Sequence, residues 1–205
     1  MAVIRGKETL MSQVRAFIAC DIPDLFLEKI SSVQDGLKGL DADVTWTKTG
    51  GIHITLKFLG DIEEGYIDKV AAVIEDASKG QTPFEIYIKG SGAFPNLKNP
   101  RVVWIGVEDL NKGLMHIQQA LDGGLKALGF EPEEREFRPH LTLGRVKGVK
   151  GKERLSSAVS GLKDIEIGSF TVDRVILYKS ELKPTGAVYT KLREVILQKN
   201  VETGL

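Results

Sequence analysis

The spacing of apolar residues divides this chain into strands of period two and helices of period near 3.6. Residues Arg15 to Ile22 have strand character, and Pro23 then opens a helix. Its apolar positions Phe26, Ile30, Val33, Leu37 and Leu40 recur at intervals of four and three, which makes one stripe on an amphipathic helix. A short strand over Val44 to Thr47 carries Trp46, and Thr49-Gly50-Gly51 supplies a turn. A strongly alternating stretch follows, with Ile52, Ile54, Leu56 and Phe58 on one side and His53, Thr55 and Lys57 on the other. The alternation puts Phe58 in the core, and Gly60 ends the strand.

A second helix runs from about Tyr66 to Ala77, with Ile67, Val70, Ile74 and Ala77 on one face. Strands over Phe84 to Ile88 and Val102 to Val107 flank a loop from Gly90 to Pro100. A third helix spans roughly Leu110 to Leu128, with Leu110, Leu114, Ile117, Leu121 and Leu128 inward and His116 off the stripe. An acidic loop (Glu131, Glu133, Glu134) leads to a second alternating stretch, in which Leu141 and Leu143 point inward and His140 and Thr142 point the other way. A Gly/Lys-rich connection (147–152), a short helix (153–160) and three strands (165–172, 175–180, 188–197) complete the chain, with Pro184-Thr185-Gly186 turning between the last two. Helices and strands mix without a regular βαβ alternation, so the expected class is α+β, antiparallel sheet with helices on one face.

Two of these stretches are near copies: His53-Ile54-Thr55-Leu56 and His140-Leu141-Thr142-Leu143. Each sets an imidazole beside a hydroxyl on one face of a strand. The chain has three histidines, and two of them stand in this one context, 87 residues apart. The spacing suggests two pseudo-symmetric lobes that face each other across a central cleft, each contributing one His-x-Thr strand. Two imidazoles can divide a proton transfer, one accepting and one donating. Two hydroxyls beside them can hold the oxygens of a phosphate.

Composition narrows the partners. At 205 residues the chain suits one domain, expected over residues 14–197, with an N-terminal extension (1–13) and a C-terminal tail (198–205). Formal net charge is zero, so no global field draws the molecule to nucleic acid or membrane. One cysteine, Cys20, excludes an internal disulfide and suits the cytoplasm. No apolar run is long enough to span a bilayer, and a monomer is expected. The sequence contains no Cys pair, no HExxH, no carboxylates at ligand spacing, and no P-loop or dinucleotide fingerprint, so neither metal nor cofactor is implied.

Written with their surroundings, the paired motifs are IHITLKFLG and RPHLTLGRV, and they resemble those of the 2H phosphoesterases. Within that superfamily they are most similar to the RNA 2',3'-cyclic phosphodiesterases, also called 2'-5' RNA ligases. The likeness extends to RAFIACDIP at the start, RVVWIGV (101–107), FRPHLTLGRV (137–146) and LYKSEL (177–182). It implies a bilobal α+β fold and metal-independent opening of RNA 2',3'-cyclic phosphate ends to 2'-phosphomonoesters. It also implies reversible joining or breaking of 2'-5' linkages. His53 and His140 become acid and base, Thr55 and Thr142 phosphate ligands, and Arg145 the transition-state arginine.

Pleat geometry competes with one of these assignments, because Arg145 shares parity with Leu141 and Leu143 while Arg138 shares parity with His140. Arg145 on resemblance and Arg138 on geometry both stand as guanidinium candidates. Trp104, Trp46 and Phe58 could each stack on a base; core packing is favoured for Phe58, and for the tryptophans both roles stand. Seven basic residues between Arg135 and Arg154, against Glu136 and Glu153, could grip an RNA backbone or form a solvated loop. An RNA-end binding module with little turnover, or a phosphodiesterase for a small nucleotide such as ADP-ribose cyclic phosphate, are the alternatives.

Overall fold

The computed structural model describes residues 12–184 and 186–198; the termini expected as extension and tail lie largely outside them. Nine strands and four α-helices follow the expected order: β1 (Gln13–Cys20), α1 (Asp24–Lys38), β2 (Val44–Trp46), β3 (Ile54–Glu63), α2 (Ile67–Ser78), β4 (Phe84–Phe94), β5 (Val102–Glu108), α3 (Gly113–Lys126), β6 (His140–Val146), α4 (Lys152–Gly161), β7 (Glu166–Val172), β8 (Arg174–Lys183) and β9 (Gly186–Ile196). Ser12, just before β1, accepts the Glu64 backbone N–H and donates its hydroxyl to the Glu64 carboxylate.

The strands pair antiparallel along the path β7-β4-β5-β6-β3-β1-β8-β9, with β2 on β6. The path has a narrow waist, where Ile54 of β3 meets Leu141 of β6. On one side of it, α2 and α3 pack on β3-β1-β8-β9; on the other, α1 and α4 pack on β6-β5-β4-β7. The two expected lobes are thus present, but each draws on both halves of the chain: α1 serves the His140 lobe and α3 the His53 lobe. Buried residues from both lobes form one large core, including Ile18, Ile30, Ile54, Ile74, Ile105, Leu121 and Leu141.

Several local expectations fail for identifiable reasons. Leu110 is exposed, because α3 starts three residues later, where the Asp109 carboxylate accepts the N–H groups of Gly113 and Leu114. β4 runs on through the expected loop as far as Phe94, with a register shift after Ile88 and Gly90 at positive φ. β3 likewise passes Gly60, which adopts φ +72° inside the strand.

The largest correction concerns Lys57 and Phe58, whose faces are exchanged. Ala19 pairs with Thr55 and Ile18 with Lys57, so Leu56 is an extra residue in β3. A bulge of this kind reverses the alternation that follows it. Lys57 is therefore carried into the interior (3% exposed) and Phe58 out of it (58% exposed). The buried ammonium is satisfied by the Asp122 carboxylate at 2.7 Å and by the Glu131 carbonyl at 2.7 Å.

Candidate active site

Each histidine stands at the head of its strand, and each is oriented in the same manner. His53 Nδ1 lies 2.9 Å from the Gly51 carbonyl, and His140 Nδ1 lies 2.7 Å from the Arg138 carbonyl, in both cases two residues back along the chain. A carbonyl oxygen only accepts, so the proton sits on Nδ1. In the neutral ring Nε2 is then left with a free lone pair, and in the charged ring it is a donor.

The second strand repeats the bulge of the first. Trp104 pairs with Thr142 and Val103 with Gly144, so Leu143 is the extra residue, one place after the threonine as Leu56 is after Thr55. Here the bulge reverses parity in favour of Arg145, which turns onto the face of His140 and Thr142. The bulged carbonyl is not left orphaned. Gln34 of α1, buried in place of the expected Val33, donates Nε2 to the Leu143 carbonyl at 2.8 Å and to the Thr47 carbonyl at 2.7 Å. The Thr47 N–H reaches the same Leu143 carbonyl at 2.9 Å. Arg145 and Phe58 thus occupy equivalent places in the two motifs, each three residues past its threonine.

A cavity of about 180 Å³ opens where these strands meet, lined by His53, Thr55, Phe58, Thr142, Arg145 and Tyr189 among others. His140 is not among the lining residues; its ring stands edge-on to Phe94 at 4.9 Å between ring centroids, near enough to His53 for its charge to act on that ring. The expected Arg138 is elsewhere: its guanidinium is exposed and bonded to Glu136, and its contribution to the site is the carbonyl that holds His140. Trp46 packs against the core and beside Gly144 and does not line the cavity. Trp104 lies behind His140 with ring centroids 6.5 Å apart; with Arg138 it lines a separate, more open depression. Among the described residues its buried Nε1 has no hydrogen-bond partner.

Surroundings differ between the two imidazoles. His53 stacks on Phe17 at 4.6 Å and meets the edge of Tyr189 at 5.3 Å. Burial pushes its pKa down to about 4, against the opposing pull of the Gly51 carbonyl and Asp21; the His140 charge lowers it further. Burial also lowers the His140 pKa, opposed by the Arg138 carbonyl and reinforced by the Arg145 guanidinium. Tyr178 donates its hydroxyl to Asp21, and its phenol pKa is raised, first by burial and then by that carboxylate. Cys20 is buried with its thiol pKa raised, chiefly by desolvation.

Sequence reading missed Arg15, Phe17, Ser180 and Tyr189, all of which line the cavity. Arg15 and Phe17 alternate on β1 within the quoted RAFIACDIP, which was the available signal. Tyr189 had none, since β9 reaches the site by curling back toward Gly51.

Two His-x-Thr strands thus meet beside a cavity lined by an arginine, the arrangement that the two-histidine phosphoesterase resemblance leads one to expect. Residues 49–184 match the family model described as the 2'-5' RNA ligase superfamily, and the chain belongs to that superfamily. A protein of Methanothermobacter thermautotrophicus named RNA 2',3'-cyclic phosphodiesterase is 42% identical over 180 residues, covering 88% of this chain and 97% of its own. One of the same name from Methanocaldococcus jannaschii is 36% identical over 181 residues, covering 88% and 99%. The crystal structure of TT0787 of Thermus thermophilus superimposes with a TM-score of 0.75 at 26% identity, covering 89% of this chain and 97% of that one.

Proposed function

We propose that the protein hydrolyses RNA 2',3'-cyclic phosphate ends to 2'-phosphomonoesters, with metal-independent acid-base chemistry shared between His53 and His140. The observation that carries this reading is the matched pair of imidazoles, each with Nδ1 tied to a carbonyl two residues back, where His53, both threonines and Arg145 line one cavity and His140 heads the strand that carries Thr142 and Arg145. In the proposed step, neutral His140 takes a proton on Nε2 from water as the water oxygen bonds to phosphorus. The bond from phosphorus to the ribose 3'-oxygen breaks, and protonated His53 gives that oxygen its Nε2 proton. Thr55 and Thr142 hold the non-bridging oxygens, and the Arg145 guanidinium meets the charge that builds on them in the transition state.

The division of roles follows the family resemblance. Desolvation keeps His53 neutral in the free protein at neutral pH, so its proton must arrive with the anionic substrate. Reversible 2'-5' ligation is part of the proposal, as the same chemistry run backwards. The working unit is taken to be one bilobal domain over residues 14–197, a monomer. The lone buried cysteine supports a cytoplasmic setting, and no helix among the described residues is long and apolar enough to cross a membrane.

The test is to incubate the protein with an oligonucleotide ending in a 2',3'-cyclic phosphate, in excess EDTA, and follow ring opening. Turnover that survives the chelator and falls roughly 10²- to 10⁴-fold in His140→Ala is the expected result. Loss of turnover in EDTA that added divalent metal restores would defeat the mechanism; unchanged turnover in His140→Ala would remove the site.

A further inference from the structure

Arg15 is the charged cavity residue that the roles above leave unused. It lies on β1 two positions before Phe17, whose ring stacks on His53, and therefore projects to the same face of the strand. Its side chain is exposed and lines the cavity. The arginine ion pairs among the described residues belong to Arg138, Arg174 and Arg193. Among the same described residues, Arg15 and Arg145 have no ion pair, and no Asp or Glu lines the cavity with them. Across the sheet, β3 separates β6, which carries Arg145, from β1, which carries Arg15. Phe58 projects from β3 into the same cavity, 58% exposed.

One phosphate, held by the threonines and Arg145, accounts for one guanidinium. A second unpaired guanidinium in a cavity without a carboxylate is a site for a second anion. An exposed aromatic face on the strand between them suits a nucleobase. At an RNA 3' end, the next anion beyond the cyclic phosphate is the phosphate on the 5' side of the same ribose.

We propose that Arg15 binds this 5'-side phosphate, with the terminal base against Phe58, so that the site selects cyclic ends bearing a 5'-phosphate over a bare nucleoside 2',3'-cyclic phosphate. The inference rests on the cyclic phosphodiesterase reading. Its chemistry is shared by an RNA backbone diester and by a small nucleotide with a 5'-phosphate.

The test compares three substrates: adenosine 2',3'-cyclic phosphate, the same molecule carrying a 5'-phosphate, and a diadenylate ending in the cyclic phosphate. The quantity read is the ratio of KM values. The two substrates with the 5'-side phosphate should show KM about tenfold lower than the nucleoside, which corresponds to about 1.4 kcal/mol. Arg15→Gln should bring that ratio close to one, and Arg15→Lys should keep part of it. A gain confined to the diadenylate assigns the subsite to the RNA chain; an equal gain for both assigns it to the 5'-phosphate itself. Equal KM for all three substrates, or a ratio that survives Arg15→Gln, overturns the inference while leaving the phosphodiesterase intact. Failure to turn over any of the three removes the phosphodiesterase reading and the subsite together.

Discussion

A phosphate ester bound in the cavity should raise the pH at which His53 takes up its proton by about three decades. Packing against Phe17 and Tyr189 and close to Tyr178 strips water from the imidazole and pushes its pKa down to about 4. In the free protein about one molecule in a thousand then carries the proton at neutral pH. Opposite unit charges about 4 Å apart, in surroundings of effective dielectric about 20, attract by about 4 kcal/mol. At about 1.4 kcal/mol for each tenfold change in proton affinity, that restores protonation near neutrality. The assay is an NMR titration of the imidazole signals, with and without a saturating nucleoside 2'-monophosphate. The chain has three histidines, so His53→Gln assigns the signal, and His116, exposed on α3, is the internal reference. A His53 midpoint that stays in place while the same spectra show binding would refute the electrostatic reasoning. So would a free-protein midpoint in the ordinary histidine range.

Other consequences are open to direct measurement. Folding lowers the His53 pKa from 6.5 to about 4, so the unfolded chain binds the extra proton between those values. The stabilisation from keeping this ring neutral is full above about pH 6.5 and falls by up to about 3 kcal/mol as pH drops through 4. Urea midpoints over a pH series should show this loss and should show it diminished in His53→Phe; parallel curves would contradict it. A nitrophenyl ester of a nucleotide, whose leaving group departs without a proton, should restore much of the rate of His53→Ala and little of His140→Ala; rescue of His140→Ala instead would reverse the two roles. Gln34→Leu takes a donor from the Thr47 and Leu143 carbonyls and should cost about 1–3 kcal/mol in urea unfolding. It should also lower kcat by loosening the bulge that aims Arg145, and an unchanged kcat would show that the bulge holds without it.

How far the sequence could be read depended on whether a feature is local. The stripes of α1 to α3 and the two His-x-Thr pairs are local, because a helix face or one side of a strand is set within a few residues. Phe58, Lys57 and Arg145 are not. Their faces depend on one extra residue, Leu56 or Leu143, and that is fixed by the register against β1 and β5 far away in the chain. Alternation therefore assigned Phe58 to the core and favoured Arg138 on parity, and the resemblance to a known family was the better guide to Arg145. Gln34 shows the same limit: a glutamine on an apolar stripe looks like an interruption until the bulged Leu143 carbonyl it satisfies is in view. The exchange of α1 and α3 between lobes was likewise hidden, since it is a property of the packing rather than of either helix.

The most direct test of the account is the identity of the phosphate isomer left on the RNA end. If His53 protonates the ribose 3'-oxygen while water activated by His140 attacks phosphorus, the phosphate remains on the 2'-oxygen. Phosphorus NMR of the product from an oligonucleotide with a 2',3'-cyclic phosphate, run in EDTA, should therefore show a 2'-phosphomonoester. A 3'-phosphomonoester, or a mixture of the two isomers, would contradict the proposed roles of both histidines.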